Sequence, residues 1–131
     1  MFVDASALCA ILLDEPDGEA YAAKIQAASS PCTSPIAIFE TALAIVRVLK
    51  VDVAAARREI DNFLRVGRIE IVSIGDAEAA RALDAFERYG KGRHPAKLNM
   101  GDCFAYACAR TRGVSLLFKG DDFSRTDIAA A

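Results

Sequence analysis

Residues 1–13 read "MFVDASALCAILL", and the junction at Asp4 decides how the rest of the chain is read. A short apolar, β-like run, "MFVD", closes on an acid. A helical stretch, "ASALCAILL", begins at once. The same alternation recurs along the chain. Helical "GEAYAAKIQAA" precedes "PCTS"; helical "PIAIFETALAIVRVLK" and "VAAARREIDNFLRV" precede "IEIVSI"; helical "DAEAARALDAFERYG" and a helix after Asn99 precede "SLLFKG". Strands separated by helices predict an α/β fold around a parallel sheet. In such a sheet, ligands bind in the crevice outside the carboxyl ends of the strands, which is where Asp4 falls. Asp4 also suits an ordinary helix N-cap, and both readings stay open.

The punctuation agrees with these boundaries. Ser34 before Pro35 is an N-cap and first-turn pair, Asp52 and Asp76 are cap candidates, and Gly90 and Gly113 are expected to end their helices. With 131 residues, 53% of them hydrophobic, and a mean hydropathy of +0.22, a single domain over 1–131 with a real core is expected. Apolar runs such as "TALAIV" are too short to cross a bilayer, and "MFVDAS" offers no basic leader. The expectation is a soluble, cytoplasmic protein without membrane attachment. Four cysteines, at 9, 32, 103 and 108, form no CxxC pair and sit among apolar neighbours, which favours buried free thiols over zinc ligands or disulfides. A net charge of −2 lacks the general basic footprint of nucleic-acid binders. Any polyanion must be met locally, by a basic patch or by metal ions.

Three further places carry acids that need explaining. Asp102 lies in "LNMGDCFAYACA", at the first turn of an apolar helix, where Asn99 and Asp102 have capping-box spacing. Glu40 interrupts the helix 35–49, which is apolar nearly all round and so expected to be buried. It shares a face with Ile36 and Leu43, and Arg47, two turns away, is a remote partner. Asp121 and Asp122 in "SLLFKGDDF" follow a strand run and also make good turn chemistry. Capping and turn formation explain Asp4, Asp102 and the Asp121–Asp122 pair singly, and Glu40 would need Arg47, but none of these readings predicts that all would converge on one sheet edge.

If they converge, charge repulsion becomes decisive. Two carboxylates about 6 Å apart at an effective dielectric near 20 repel by roughly 3 kcal/mol, a large fraction of a small domain's stability. A cation must offset it. An all-oxygen set suits a hard ion, Mg²⁺ or Mn²⁺, better than zinc. The loop "GKGRHPAK" places Lys91, Arg93 and Lys97 just before Asn99 and Asp102, suiting them to contact a phosphodiester backbone. Solvated surface charge is the ordinary alternative. His94 is not placed as a ligand and is expected in an exposed loop. Arg57 and Arg58 read as helix surface.

The motifs "MFVDASALCAILLDEP", "TSPIAIFETALAI", "LNMGDCFAYACAR" and "LLFKGDDFSRTDI", in this order, resemble those of the PIN-domain ribonucleases, most of all the VapC-type toxins of toxin–antitoxin pairs. The likeness spans nearly the whole chain. It implies a PIN-like three-layer fold with a mainly parallel sheet of four or five strands flanked by helices. It further implies that Asp4, Glu40, Asp102 and Asp122 are catalytic, with Asp4 and Asp102 binding the metal directly. Asp121 is the alternative to Asp122, while Ser6 and Asn99 would support the site by hydrogen bonding.

The function so implied is a Mg²⁺-dependent endoribonuclease toxin with a cognate VapB-type antitoxin. The apolar stripe of 53–66 suits either a homodimer seam or core packing. Alternatives are an RNA-processing nuclease without a toxin role and a degenerate binding module. A phosphoacceptor receiver domain would want paired acids near the first strand, and a haloacid-dehalogenase-type phosphatase would want Asp-x-Asp there. This chain has Asp4 alone, with Ser6 at the third position.

Overall fold

Phe2 and Val3 are neighbours in sequence, yet they belong to different cores. The computed structural model describes residues 1–131. These two residues form strand β1 (Phe2–Val3), followed by α1 (Ala5–Leu12), α2 (Gly18–Ala27), β2 (Cys32–Thr33), α3 (Pro35–Leu49) and α4 (Val53–Val66). Strand β3 (Glu70–Ile71), α5 (Asp76–Tyr89), α6 (Met100–Arg112) and β4 (Leu116–Leu117) complete the order, with a 3₁₀ turn at Phe123–Arg125. Phe2 and Leu116 pack with Val72, Ala85, Leu98 and Tyr106 on the α5–α6 side. Val3 and Leu117 pack with Leu8, Ile25, Ile45, Ile60 and Leu64 on the α1–α4 side. Alternate side chains of a strand face opposite ways, so one sheet serves two apolar layers.

All four strands are parallel, in the order β3-β2-β1-β4. Leu116 makes a further parallel bridge to Ala130 at the β4 edge. The expected architecture is therefore the observed one. After β1 the chain steps outward through β2 to β3, then returns to place β4 on the other side of β1. This reversal is a topological switch point, and it opens a crevice at the carboxyl ends of the two strands. With Phe2 paired to Leu116 and Val3 to Leu117, those ends lie level, so Asp4 and the Asp121–Asp122 turn leave the sheet side by side.

Local chemistry sets most helix starts. Ser34 accepts from the Ala37 amide ahead of Pro35, and Asp52 accepts from that of Ala55 at 2.6 Å. Gly113 ends α6 at φ 65°, where glycine is favoured. Two boundaries differ from the sequence reading. The α5 cap is Gly75, whose amide is held by Glu78, and Asp76 is the first helical residue. Gly90 ends α5 extended, at φ −68°, because it turns into a bridge with Leu98.

Helix α3 is not buried all round. Its Ala37, Thr41 and Ile45 face the interior, while Phe39, Leu43, Val48 and Leu49 are exposed. The stripe of α4 goes the other way: Ala56, Ile60 and Leu64 enter this chain's own core, so they are not a seam for a second copy. Cys32, Cys103 and Cys108 are buried and Cys9 is half-buried, all as free thiols. No helix is long and apolar enough to cross a membrane.

Candidate active site

The crevice is built first by caps. Asp4 is the N-cap of α1, buried, with Oδ2 accepting from the Ser6 amide at 3.0 Å and the Ser6 hydroxyl at 2.5 Å. Ser6 Oγ in turn accepts from the Lys119 amide at 3.0 Å, just beyond β4. Ser6 directly, and Lys119 through Ser6, thus fix one carboxylate oxygen from two neighbouring strand ends, and Oδ1 is left free for other work. Asp102 is held likewise. Its Oδ2 accepts from the Asn99 amide at 2.8 Å, while its own amide donates to Asn99 Oδ1 at 3.0 Å. Capping and participation in the crevice are therefore one arrangement, not rival readings: the cap bonds fix the carboxylate while sparing an oxygen.

Glu40 arrives from α3, half-buried, with its carboxylate lying against Gly101 in the first turn of α6. No cation answers these acids. The six ion pairs of the chain all lie elsewhere. Burial, with Asp4 and Asp102 nearby, pushes Glu40 up to about 7. Burial raises Asp102 to about 6 against the opposing Asn99 bond, with Asp4 and Asp122 adding to the rise. Asp4 is also raised, chiefly by burial, with Ser6 opposing and Asp122 contributing. Like charges in a partly desolvated site favour the protonated forms.

The structure thus places Asp4 and Asp102 within reach of both Glu40, on the α3 side, and Asp122, on the β4 side. Asp122 starts the 3₁₀ turn without spending its side chain on a cap bond. Both acids of this turn are exposed, but Asp121 raises none of the others, and its carbonyl accepts from Ser124. As they stand, no three acids form a ready-made metal cage. One or two carboxylates with waters can still hold a hard divalent ion. Since no buried side-chain polar atom lacks a partner, the free carboxylate oxygens are open to solvent and to such an ion.

The basic loop is exposed at Lys91, Arg93 and Lys97. Arg93 is partly committed, paired with Glu87 at 2.9 Å and lying over Phe86. His94 is half-buried, contrary to expectation, edge-on to Tyr89, with Nδ1 accepting from the Ala96 amide. A concavity of about 700 Å³ between α2 and α4 is lined by none of the crevice acids.

Sequence reasoning missed two residues here. Lys119 Nζ reaches Glu15 at 2.5 Å and Asp17 at 2.7 Å, tying the turn after α1 to the turn after β4. A lone lysine between "LLF" and "GDD", with "DEPD" earlier in the chain, was the available signal. Gly101 was the other.

A three-layer parallel α/β domain with acids gathered at its switch point defines a class of α/β folds with a candidate active site at that edge, and comparison with known proteins specifies the family. The PIN domain model matches residues 1–129. A VapC ribonuclease of Mycobacterium bovis is 43% identical over 129 residues, covering 98% of this chain and 96% of its own. One from Rhizobium meliloti is 41% identical, covering 97% and 98%. Among solved structures, a VapC20 toxin of Mycobacterium tuberculosis described as cleaving the sarcin–ricin loop superposes with TM-score 0.78 at 16% identity, covering 99% of this chain and 97% of that one. A toxin–antitoxin complex from Klebsiella pneumoniae gives 0.72 at 18%, covering 99% and 95%. At those identities the solved structures speak for the fold. The chain belongs to the PIN-domain family, and its curated relatives are VapC ribonucleases.

Proposed function

We propose that this chain is a divalent-metal-dependent endoribonuclease and the toxin of a toxin–antitoxin pair, hydrolysing RNA phosphodiester bonds at the acidic crevice, with Mg²⁺ as the natural ion and Mn²⁺ a substitute. The observation that carries this reading is a set of carboxylates held in place yet left without cations. Family membership gives them a use.

Asp4 and Asp102 are the metal-holding residues, each with one oxygen locked by a cap bond and the other free. Bound there, the ion would polarise the scissile phosphate and lower the pKa of a water. Glu40, embedded in the same field, orients the attacking water or takes its proton. Asp122 completes the rim. Ser6 and Asn99 hold the two metal-binding acids in orientation, and Lys91, Lys97 and the partly committed Arg93 meet flanking phosphates.

A partner antitoxin would find an acidic crevice beside the exposed apolar residues Phe39, Leu43 and Met100, a surface complementary to a basic, amphipathic segment. A second copy would have to use other exposed apolar side chains, such as Val48, Leu49 and Val53 at the α3–α4 corner. Light scattering checks for that dimer. The site of action is the cytoplasm, where its RNA lies.

The test is cleavage of RNA by the purified chain with Mg²⁺, repeated with EDTA and with Asp4→Asn. Cleavage that disappears in both is expected. Cleavage that survives both contradicts the proposal.

A further inference from the structure

Gly101 sits at the second position of α6, is buried, and is absent from the residues with positive φ. Its backbone is one that any residue adopts. Glycine destabilises a helix relative to alanine because it loses more freedom on folding and buries no side chain. The freedom glycine offers is thus unused here, and another reason must keep it. The space that a Cβ would fill supplies one: its three nearest atoms would be the two carboxylate oxygens and Cδ of Glu40, all in severe overlap. At Gly18 and Gly90 the obstruction includes backbone carbonyls, of Ala10 and Phe86, which cannot step aside. At Gly101 it is the movable end of one side chain.

We infer that Gly101 is a positioning residue of the acidic crevice: its missing side chain is the slot through which the Glu40 carboxylate reaches the first turn of α6 beside Asp102. The inference rests on the nuclease reading for its consequence, but on geometry for its content. A methyl group at 101 would be accommodated by the flexible Glu40 side chain swinging away, not by the backbone moving. The fold would persist, and α6 would gain a better helix former. The carboxylate would be lost from its place facing Asp4 and Asp102.

The experiment uses the full chain carrying Gly101→Ala, Glu40→Asp, or both, read by single-turnover RNA cleavage, Mn²⁺ affinity by calorimetric titration, and thermal unfolding. Gly101→Ala is expected to slow cleavage by about 10–100-fold, the usual effect of disturbing a group that orients a metal site. It should weaken Mn²⁺ binding while leaving the unfolding temperature unchanged or higher. Aspartate at 40 is one methylene shorter and does not reach the slot, so adding Gly101→Ala to it should change both readings by less than about threefold, a non-additive pair.

Wild-type cleavage and Mn²⁺ affinity in Gly101→Ala would overturn the inference. So would an equal loss in both backgrounds, or a lowered unfolding temperature, which would mark general damage. If the unsubstituted chain cleaves no RNA with metal present, the nuclease reading fails. Mn²⁺ affinity then still decides the role of Gly101.

Discussion

The chain handles its carboxylates in two opposite ways. Asp127 accepts from Tyr106 at 2.6 Å and pairs with Arg88 at 3.2 Å, with Arg110 slightly farther away. Asp17 is clamped by Lys119. Both are lowered, Asp127 first by the Tyr106 hydrogen bond and Asp17 first by that from Lys119. In the crevice, Asp4, Glu40 and Asp102 are all raised, burial being the leading cause each time. The contrast sets the acids that secure the fold apart from those proposed to work. A carboxylate that secures the fold is given a cation from the chain itself, whereas those of the crevice, although Ser6 and Asn99 donate to two of them, have none.

Removing a crevice acid should have the largest effect. Asp4→Asn or Asp102→Asn is expected to reduce Mg²⁺-dependent cleavage by about 10³-fold or more, in the range seen when electrostatic and acid–base groups are deleted from active sites. Neither should unfold the protein, since Asn can still cap. A gel-based RNA cleavage series checks both.

A smaller loss is expected from Lys119→Met, which keeps the amide bond to Ser6 but releases Glu15 and Asp17. About tenfold slower cleavage would follow from a loosened turn at Asp121–Asp122, and full activity would show that the clamp is dispensable. On the structural side, Asp127→Asn should leave cleavage unchanged and lower stability by about 1 kcal/mol, because its ion pairs are half-exposed while the Tyr106 bond is part-buried. Urea unfolding measures that. Smallest is Lys91→Ala, expected to reduce the slope of log affinity against log salt by about 0.7 for single-stranded RNA with little change in the cleavage step.

The degree to which this was legible in the sequence follows from how local each signal is. The strand–acid–helix junction at Asp4, the Asn99–Asp102 spacing and the Ser34–Pro35 start are set by neighbours within a few residues, and they were readable. The order β3-β2-β1-β4 was not, though once known it explains why acids from both ends of the chain leave the sheet together.

Helix α3 misled because apolar composition cannot distinguish a buried face from one left open, so Phe39 and Leu43 read as core and lie at the surface. Glu40 stood out as an odd charge, but its place depends on Gly101, some sixty positions later, and no local rule joins them. The choice between Asp121 and Asp122 was open in the sequence, since adjacent residues of one turn carry the same local signal, and only Asp122 acts on Asp4 and Asp102. Arg93 looked free until Glu87, one α5 turn from the loop, proved to hold it.

The central claim, that the crevice acids form an uncompensated anionic site requiring a divalent ion, bears directly on stability. Burial pushes Glu40 up from its ordinary 4.5 to about 7 and Asp102 from 3.8 to about 6, so the folded protein holds these protons more tightly than the unfolded chain. The stability this provides is complete below the ordinary values and is lost as pH rises through the raised ones. The decisive measurement is thermal unfolding of the metal-stripped protein at about pH 5 and about pH 8, with and without Mg²⁺, beside Asp4→Asn/Asp102→Asn. The account predicts a metal-free parent that loses more stability toward pH 8 than the variant does, and that recovers it there with Mg²⁺. Equal pH dependence in both proteins, with no stabilisation by Mg²⁺ in the parent, would contradict it.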